Sequence, residues 1–414
     1  YQSAAAGTAV TLDASQSFDR DGGPLSHRWT LVSQPALSAL VLSGAESAEL
    51  SFTPAASGVY EFQHQVSNGS LDSPVSRVTV YISGADETVQ HRLQNEVAAA
   101  RYSRALDALV YMPPDKARLY KLDIESGIIT TTSLPQIGNG LSIAPQGDRA
   151  VVSHDSSVSL IDVTAMKVDQ EIDSPAPLDD IVFDANGRAH ALTKDRSFCD
   201  LYSFNFATGE AQRATSRFGS YRCGSKMSAH PNGEWVYMPS ATNVTPKSLW
   251  KFDVTGFPIE PIIRNSGTEL GGITWIREDG RQMLSRVFDL FLSSNNPDLD
   301  MDFFNSLDIP NRQIRVNWAD NHHAKRLWAV NAFGFFEDTG DNFGGNIFLY
   351  SQNTRKVKRR LLARDVSWYS GREAASHEFV FFSGDGSNVV TVFNPIRDAE
   401  ETVVEVHPID NVNG

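Results

Sequence analysis

The fold of this chain is indicated most clearly by the stretch Ala144-Pro145-Gln146-Gly147-Asp148-Arg149, which runs directly into Ala150-Val151-Val152-Ser153. A polar turn containing Pro and Gly is followed here by a short apolar strand. Similar turns recur at residues 184–188, 229–234 and 277–281, and about seven such units follow residue 95. A repeat of roughly 40–45 residues that holds four short strands is typical of a β-propeller.

The pattern predicts a seven-bladed propeller over residues 96–414. We place its units at residues 96–136, 137–175, 176–216, 217–266, 267–310, 311–363 and 364–409. The fifth unit is the least regular, and its pattern leaves the strand register open. The expected fold class is therefore all-β.

A separate small domain is expected before the propeller. Residues 7–83 alternate apolar and polar positions, with Gly, Pro, Asn, Asp and Ser clustered between the runs. Short strands at this spacing favour a β-sandwich, with Trp29 in its core. We divide the chain into a sandwich at 1–83, a polar linker at 84–95 with room for one outer contact to the propeller, and the propeller itself.

The first domain resembles a known family at its opening residues. The stretch that begins Leu12-Asp13-Ala14-Ser15 and continues to Trp29 is similar to the start of a polycystic kidney disease (PKD) domain. Residues 58–70 are similar to its closing part, and the resemblance spans nearly all of residues 7–83. It implies an Ig-like sandwich that serves outside cells as a spacer or adhesion module.

Several propeller units resemble the YVTN-type repeat, above all the opening stretch quoted above and Gly384-Asp385-Gly386-Ser387-Asn388-Val389-Val390. Microbial surface proteins often combine such propellers with PKD domains. The resemblance therefore implies an extracellular, cell-surface or periplasmic protein. The chain opens at Tyr1 without a signal segment, so we expect a processed or truncated chain whose secretion signal or lipid anchor would precede it.

Composition narrows the partners. The chain has 414 residues, a net charge of −14 and a pI near 5.2. Such a surface repels nucleic acid and anionic lipid. No apolar run approaches the ~18 residues that a membrane-spanning helix needs.

Long loops predict where a ligand binds. In a four-stranded blade, the loops between strands two and three share one face with the connections between blades, which we call the long-loop face. The long segments at 193–200, 240–247, 293–302 and 332–346 are assigned to such loops. Cys199 and Cys223 fall on this face in neighbouring units, and we expect them to form a disulfide.

Acidic segments are candidates for calcium, which prefers six to eight oxygen ligands on loops. The candidates on the propeller are Asp298, Asp300, Asp302, Asp338 and Asp341. The PKD resemblance implies a further site at Asp19 and Asp21. The alternative for each is a solvated acidic loop or turn that binds no metal.

Aromatic and charged residues define a candidate ligand-binding face. Phe333, Phe335, Phe336 and Phe343 lie in or beside a glycine-rich loop, where they either contact a sugar or protein or fold back to pack the loop. Other side chains are expected to reach the mouth of the central channel: Asp179, Asp180, Glu269, Arg315 and Arg372.

No catalytic or nucleotide-binding motif was found. His322-His323 is expected in a short turn, where adjacent side chains point apart. The main hypothesis is a binding or adhesion protein that recognises a polysaccharide or protein partner. The alternatives are a propeller hydrolase or lyase with its site at the channel mouth, and a structural cell-envelope protein.

Overall fold

The computed structural model describes residues 2–35, 38–56, 58–83, 88–195, 197–215, 221–241, 248–266, 270–307, 315–333, 346–362, 376–394 and 402–409. Every regular element in these ranges is a β-strand, so the all-β prediction is confirmed. This described part also contains no helix long and apolar enough to cross a bilayer.

The N-terminal residues form a β-sandwich. One sheet has the strand order β1 (Gln2–Ala5), β6 (Ser76–Ser83), β5 (Gly58–Ser67) and β3 (Ser26–Ser33), and the other pairs β2 (Val10–Asp13) with β4 (Glu49–Phe52). Trp29 lies in the core between them, 7% exposed, as predicted. Its indole nitrogen donates to the Ser47 carbonyl at 3.0 Å, which satisfies the one polar group that this ring buries.

The rest of the described chain forms seven four-stranded antiparallel sheets, the blades. From inner to outer strand, blade one contains β8 (Ala99–Ser103), β9 (Ala108–Met112), β10 (Arg118–Asp123) and β11 (Ile129–Ser133); blade two contains β12 (Gly140–Ile143), β13 (Arg149–Ser153), β14 (Ser157–Asp162) and β15 (Lys167–Asp173); blade three contains β16 (Leu178–Phe183), β17 (Arg188–Thr193), β19 (Leu201–Asn205) and β20 (Glu210–Arg213).

The remaining blades follow the same plan. Blade four contains β22 (Ser228–Ala229), β23 (Trp235–Pro239), β24 (Ser248–Asp253) and β25 (Glu260–Ser266); blade five contains β26 (Thr274–Ile276), β27 (Gln282–Ser285), β28 (Asp289–Leu292) and β29 (Phe303–Ser306); blade six contains β30 (Arg315–Asn321), β31 (Leu327–Phe333), β32 (Asn346–Ser351) and β33 (Val357–Leu362); blade seven contains β34 (Ser376–Phe382), β35 (Asn388–Asn394), β36 (Thr402–Pro408) and β7 (Val89–Leu93).

The ring is closed by a strand from the segment interpreted as a linker. β7 pairs antiparallel with β36, from Leu93 opposite Thr402 to Val89 opposite Val406. The first propeller strand along the chain thus completes the last blade. The inner strands β34 and β8 are also in contact, so that blades seven and one meet.

The recurrent turns join neighbouring blades through their glycines. His230 Nε2 donates to the carbonyl of Gly280 at 2.7 Å, and Asn321 Nδ2 donates to the carbonyl of Gly386 at 3.1 Å. Gly280 has a φ of +72°, and a Cβ there would lie 2.5 Å from the His230 ring. A left-handed backbone and this close approach both require glycine.

One prediction about the fifth unit is wrong. The sequence pattern assigns residues 293–302 to the loop between strands two and three, but this segment joins β28 to β29, the third and fourth strands. It therefore lies with the turns between first and second strands, on the face that we call the short-turn face. Ser293 N, for example, donates to the carbonyl of Arg281 in such a turn.

Candidate functional site

A two-stranded ribbon crosses the long-loop face. It pairs β18 (Phe198–Cys199), from the loop between the second and third strands of blade three, with β21 (Tyr221–Arg222), from the segment leading into blade four. Cys199 and Cys223 form a disulfide with a Cα–Cα distance of 5.2 Å, as predicted. The bond clamps the connections of two adjacent blades together.

Alternation along the ribbon separates a buried side from an exposed side. Cys199 and Tyr221 are 4% and 2% exposed. The Tyr221 ring packs edge-on against Trp250 at 5.2 Å and tilted against Phe252 at 5.6 Å, within the core of blade four. The ribbon is therefore held by apolar packing in addition to the disulfide.

The exposed side of the ribbon presents an aromatic ring and a cation. Phe198 and Arg222 are backbone partners across the two strands. The guanidinium carbon of Arg222 lies 4.2 Å from the centre of the Phe198 ring, within the range of a cation–π contact. Phe198 is still 52% exposed, so the pair offers both an apolar surface and hydrogen-bond donors to a ligand.

A charged cluster lies at the mouth of the central channel on this face. The Lys226 ammonium is 3.6 Å from a carboxylate oxygen of Asp179 and 3.5 Å from one of Asp180. Met227 N donates to Asp180 Oδ2 at 2.7 Å, which ties β16 to blade four. Burial raises the pKa of Asp180 above the ordinary carboxyl value, although Lys226 acts in the opposite direction.

Arg101 on β8 faces this cluster from blade one. Burial lowers the pKa of its guanidinium, and the charge of Asp180 raises it in return. The side chain is partly exposed even though neighbouring blades enclose it, as expected for a residue that lines a narrow channel. Its Nη1 donates to the carbonyl of Ala100 at 2.8 Å.

A second group of polar side chains extends the mouth towards blade two. Asn139 Nδ2 donates to Asp155 Oδ1 and to the Leu178 carbonyl, both at 2.8 Å. The Lys194 ammonium lies 3.5 Å from Asp155. The hydrogen bond from Asn139 and the charge of Lys194 lower the pKa of Asp155, so this carboxylate is ionised at neutral pH.

The acidic segment on the short-turn face is divided by its own geometry. Asp298 and Asp302 are exposed, whereas Asp300 is 6% exposed and turned inward. Asp300 accepts from the Lys251 ammonium at 2.9 Å and from the Tyr237 hydroxyl at 3.0 Å. Its carboxylate is thus occupied by a buried ion pair.

The turn of the sandwich is held by hydrogen bonds. Asn68 Nδ2 donates to Asp19 Oδ2 at 3.2 Å, and the Asp21 backbone N donates to Asp19 Oδ1 at 3.4 Å. Among the described residues, no three or more His, Cys, Asp or Glu side chains are grouped so as to hold a metal ion. Calcium at Asp19 and Asp21 stays a prediction from the resemblance.

Other predicted site residues lie at the long-loop end of blade six or outside the described ranges. Arg315 and Phe333 are backbone partners across β30 and β31 at that end. Outside the described residues are Phe335, Phe336, Phe343, Glu269, Arg372, Asp338 and Asp341.

One buried triad has the connectivity of a hydrolase site. His190 lies 3.2 Å from Asp184 Oδ2 and 2.9 Å from Ser203 Oγ. His190 and Ser203 have no exposed surface, and Ser203 Oγ also accepts from Ile259 N at 3.1 Å. A substrate has no access to this hydroxyl, so the triad fixes blade three and is not a candidate active site.

Comparisons with known proteins agree with the two folds. Residues 2–82 match a family model of the PKD domain. No curated protein matches the chain. The chain resembles the β-propeller domain of Myceliophteria thermophila Cps50 (Swd1), with a TM-score of 0.55 and 13% identity over 78% of this chain and 100% of that one.

A second similar structure is the hydrazine synthase of Kuenenia stuttgartiensis, with a TM-score of 0.53 and 11% identity over 72% of this chain and 95% of that one. At such identities the likeness shows the fold alone. The N-terminal residues thus form a PKD-like domain, and the remainder forms a β-propeller.

Sequence reasoning missed two parts of this site. Lys226 carries no motif, and only its position just before an inner strand of the repeat could have placed it at the channel mouth. Phe198 and Arg222 are neighbours of the two cysteines, so the predicted disulfide was the available signal that these side chains meet.

Proposed function

We propose that this chain is an extracytoplasmic binding protein that holds a polysaccharide on its long-loop face. The ligand lies along the Phe198–Arg222 pair and reaches towards the channel mouth. The observation that carries the proposal is an exposed ring on a ribbon that is fixed by a disulfide and by a buried tyrosine. Rigid aromatic platforms lose little conformational entropy on binding, which favours affinity.

The polar groups beside the platform suit sugar hydroxyls. Asp179, Lys226, Asp155 and Lys194 form donor–acceptor pairs at the mouth. A hydroxyl both donates and accepts, so one sugar hydroxyl can bond to both members of such a pair. The disulfide supports an oxidising location outside the cytoplasm. In this proposal the PKD-like domain serves as a spacer.

The proposal is tested by titrating soluble neutral and acidic polysaccharides against the protein by calorimetry. We expect binding to at least one polymer and a loss of at least tenfold in affinity for Phe198→Ala. The matched control is Phe304→Ala, because Phe304 is also exposed (42%) and also lies near an arginine, but on the outer strand of blade five. Equal loss in both variants, or no binding to any polymer, contradicts the proposal.

A second candidate function is a polysaccharide hydrolase or lyase at the channel mouth. It is favoured by Asp180, a buried carboxyl whose pKa is raised and which lies beside Lys226. A carboxyl that holds its proton near neutral pH can act as a general acid. Chain shortening of a bound polymer that is lost in Asp180→Asn would replace the binding proposal with this one.

A further inference from the structure

The rim of the long-loop face carries several cations, and most of them are already neutralised. Lys194 is paired with Asp155 at 3.5 Å, and Lys226 with Asp179 at 3.6 Å. Arg213 is paired with Asp200 at 2.5 Å.

Arg222 differs from these cations. No ion pair within the described ranges includes Arg222, whose observed contact is with the Phe198 ring. A guanidinium stacked on a ring by its face keeps its N–H edge free to donate, and that edge matches a carboxylate in a two-point hydrogen bond. The ribbon therefore presents a positive charge without a counter-ion among the described residues.

We propose that the Phe198–Arg222 pair selects acidic sugar units, with the carboxylate of a uronate bound by Arg222 and the sugar ring packed on the exposed part of Phe198. The inference rests on the proposed polysaccharide function and names its ligand class. The position of both residues next to the disulfide fixes their spacing before the ligand arrives.

The negative net charge of the chain does not oppose this assignment. The charge of −14 is spread over the whole surface. At physiological salt, charges farther apart than about 8 Å are largely screened, so the contact with one cation outweighs distant carboxylates. Binding that depends on Arg222 should accordingly weaken as salt is raised.

The test compares polygalacturonate with its fully methyl-esterified form, which has the same backbone without the charge. We expect the native protein to bind the acidic polymer at least tenfold more tightly. Arg222→Gln should lose this preference while keeping its affinity for the ester. Arg222→Lys, which keeps the charge but not the planar fork, should retain part of the preference.

The control is Arg355→Gln, which removes an arginine beside another exposed ring, 5.9 Å from the centre of Phe304. It should keep the full preference, and melting midpoints of all variants report whether they fold. Equal binding of both polymers by the native protein, or an unchanged preference in folded Arg222→Gln, overturns this inference and leaves the proposed function standing. Absence of binding to every polysaccharide overturns the proposed function as well.

Discussion

Single side chains connect distant blades at the short-turn end of the channel. Arg104, in the first turn of blade one, bonds to Glu278 of blade five and to the carbonyl of Asp320 in blade six. Asp320 accepts from Glu278 N at 2.7 Å and from Gln352 Nε2 at 2.6 Å. The network bridges the channel opposite the candidate site.

Asp320 predicts a pH dependence of stability. Burial raises its pKa to about 7 against the attraction of Arg277 and Arg104, with a contribution from the nearby Asp279. In the unfolded chain the pKa is about 3.9. Between these values the folded state holds the extra proton, so this group's contribution to stability falls as pH rises from about 4 to about 7.

The measurement is urea unfolding at pH 5 and pH 7.5. Asp320→Asn, neutral at both pH values, should lose less unfolding free energy between them than the native protein does. Identical pH slopes for the two proteins would show that Asp320 does not titrate in this range.

A histidine pair in the sandwich predicts the opposite slope. His27 Nδ1 lies 3.1 Å from His64 Nε2, so one of the two nitrogens must be unprotonated to accept. Burial and the neighbouring His27 lower the pKa of His64. The folded state therefore releases its proton more readily than the unfolded chain, whose histidine pKa is about 6.5, and stability is lost as pH falls below that value.

Melting of the native protein and of His64→Gln at pH 7.5 and pH 5 tests this contribution. Glutamine is uncharged at both values and is able to keep a hydrogen bond to His27. The variant should show the smaller acid-induced decrease in sandwich melting temperature. A larger decrease in the variant would contradict the assignment.

Among the elements, the ribbon depends on its covalent clamp. The disulfide closes a segment whose ends are 24 residues apart, and a loop of that length corresponds to about 3 kcal/mol of unfolding free energy in the chain-entropy model. Cys199→Ala/Cys223→Ala should lose about this much stability by chemical denaturation. It should also weaken polysaccharide binding more than Phe304→Ala does. Unchanged stability would mean that the ribbon is held by Tyr221 packing alone.

The sequence allowed elements to be predicted where turns are explicit. Glycines such as Gly147 and Gly280 mark boundaries because the backbone there is left-handed. In blade five the stretch Gln282–Leu292 reads as one apolar run, since only three residues separate β27 from β28 and one of them, Phe288, is a non-glycine with a φ of +68°. The register error displaced Asp300 to the wrong face, and its pairing with Lys251 had no local signal.

For the whole molecule, ring closure by β7 is the feature that a repeat pattern could not specify. The strand lies about 310 residues before its partner β36, and its composition is polar. Because a propeller without this closure leaves the outer edge of blade seven unpaired, we expect β7 to matter more than its length suggests.

Two truncations separate closure from the sandwich. A chain that begins at residue 84 keeps β7, and one that begins at residue 95 lacks it. The longer chain should keep a cooperative propeller transition, and the shorter chain should melt at a lower temperature. Coincident transitions would show that β7 does not stabilise the ring.

The proposed function depends on whether the long-loop face binds an extended sugar ligand through the clamped ribbon. The deciding measurement is calorimetric titration of polygalacturonate into the native protein, Phe198→Ala and Phe304→Ala. We expect the native protein and Phe304→Ala to bind alike and Phe198→Ala to bind at least tenfold more weakly. A polymer that binds all three proteins equally would show that the ligand site lies elsewhere on the molecule.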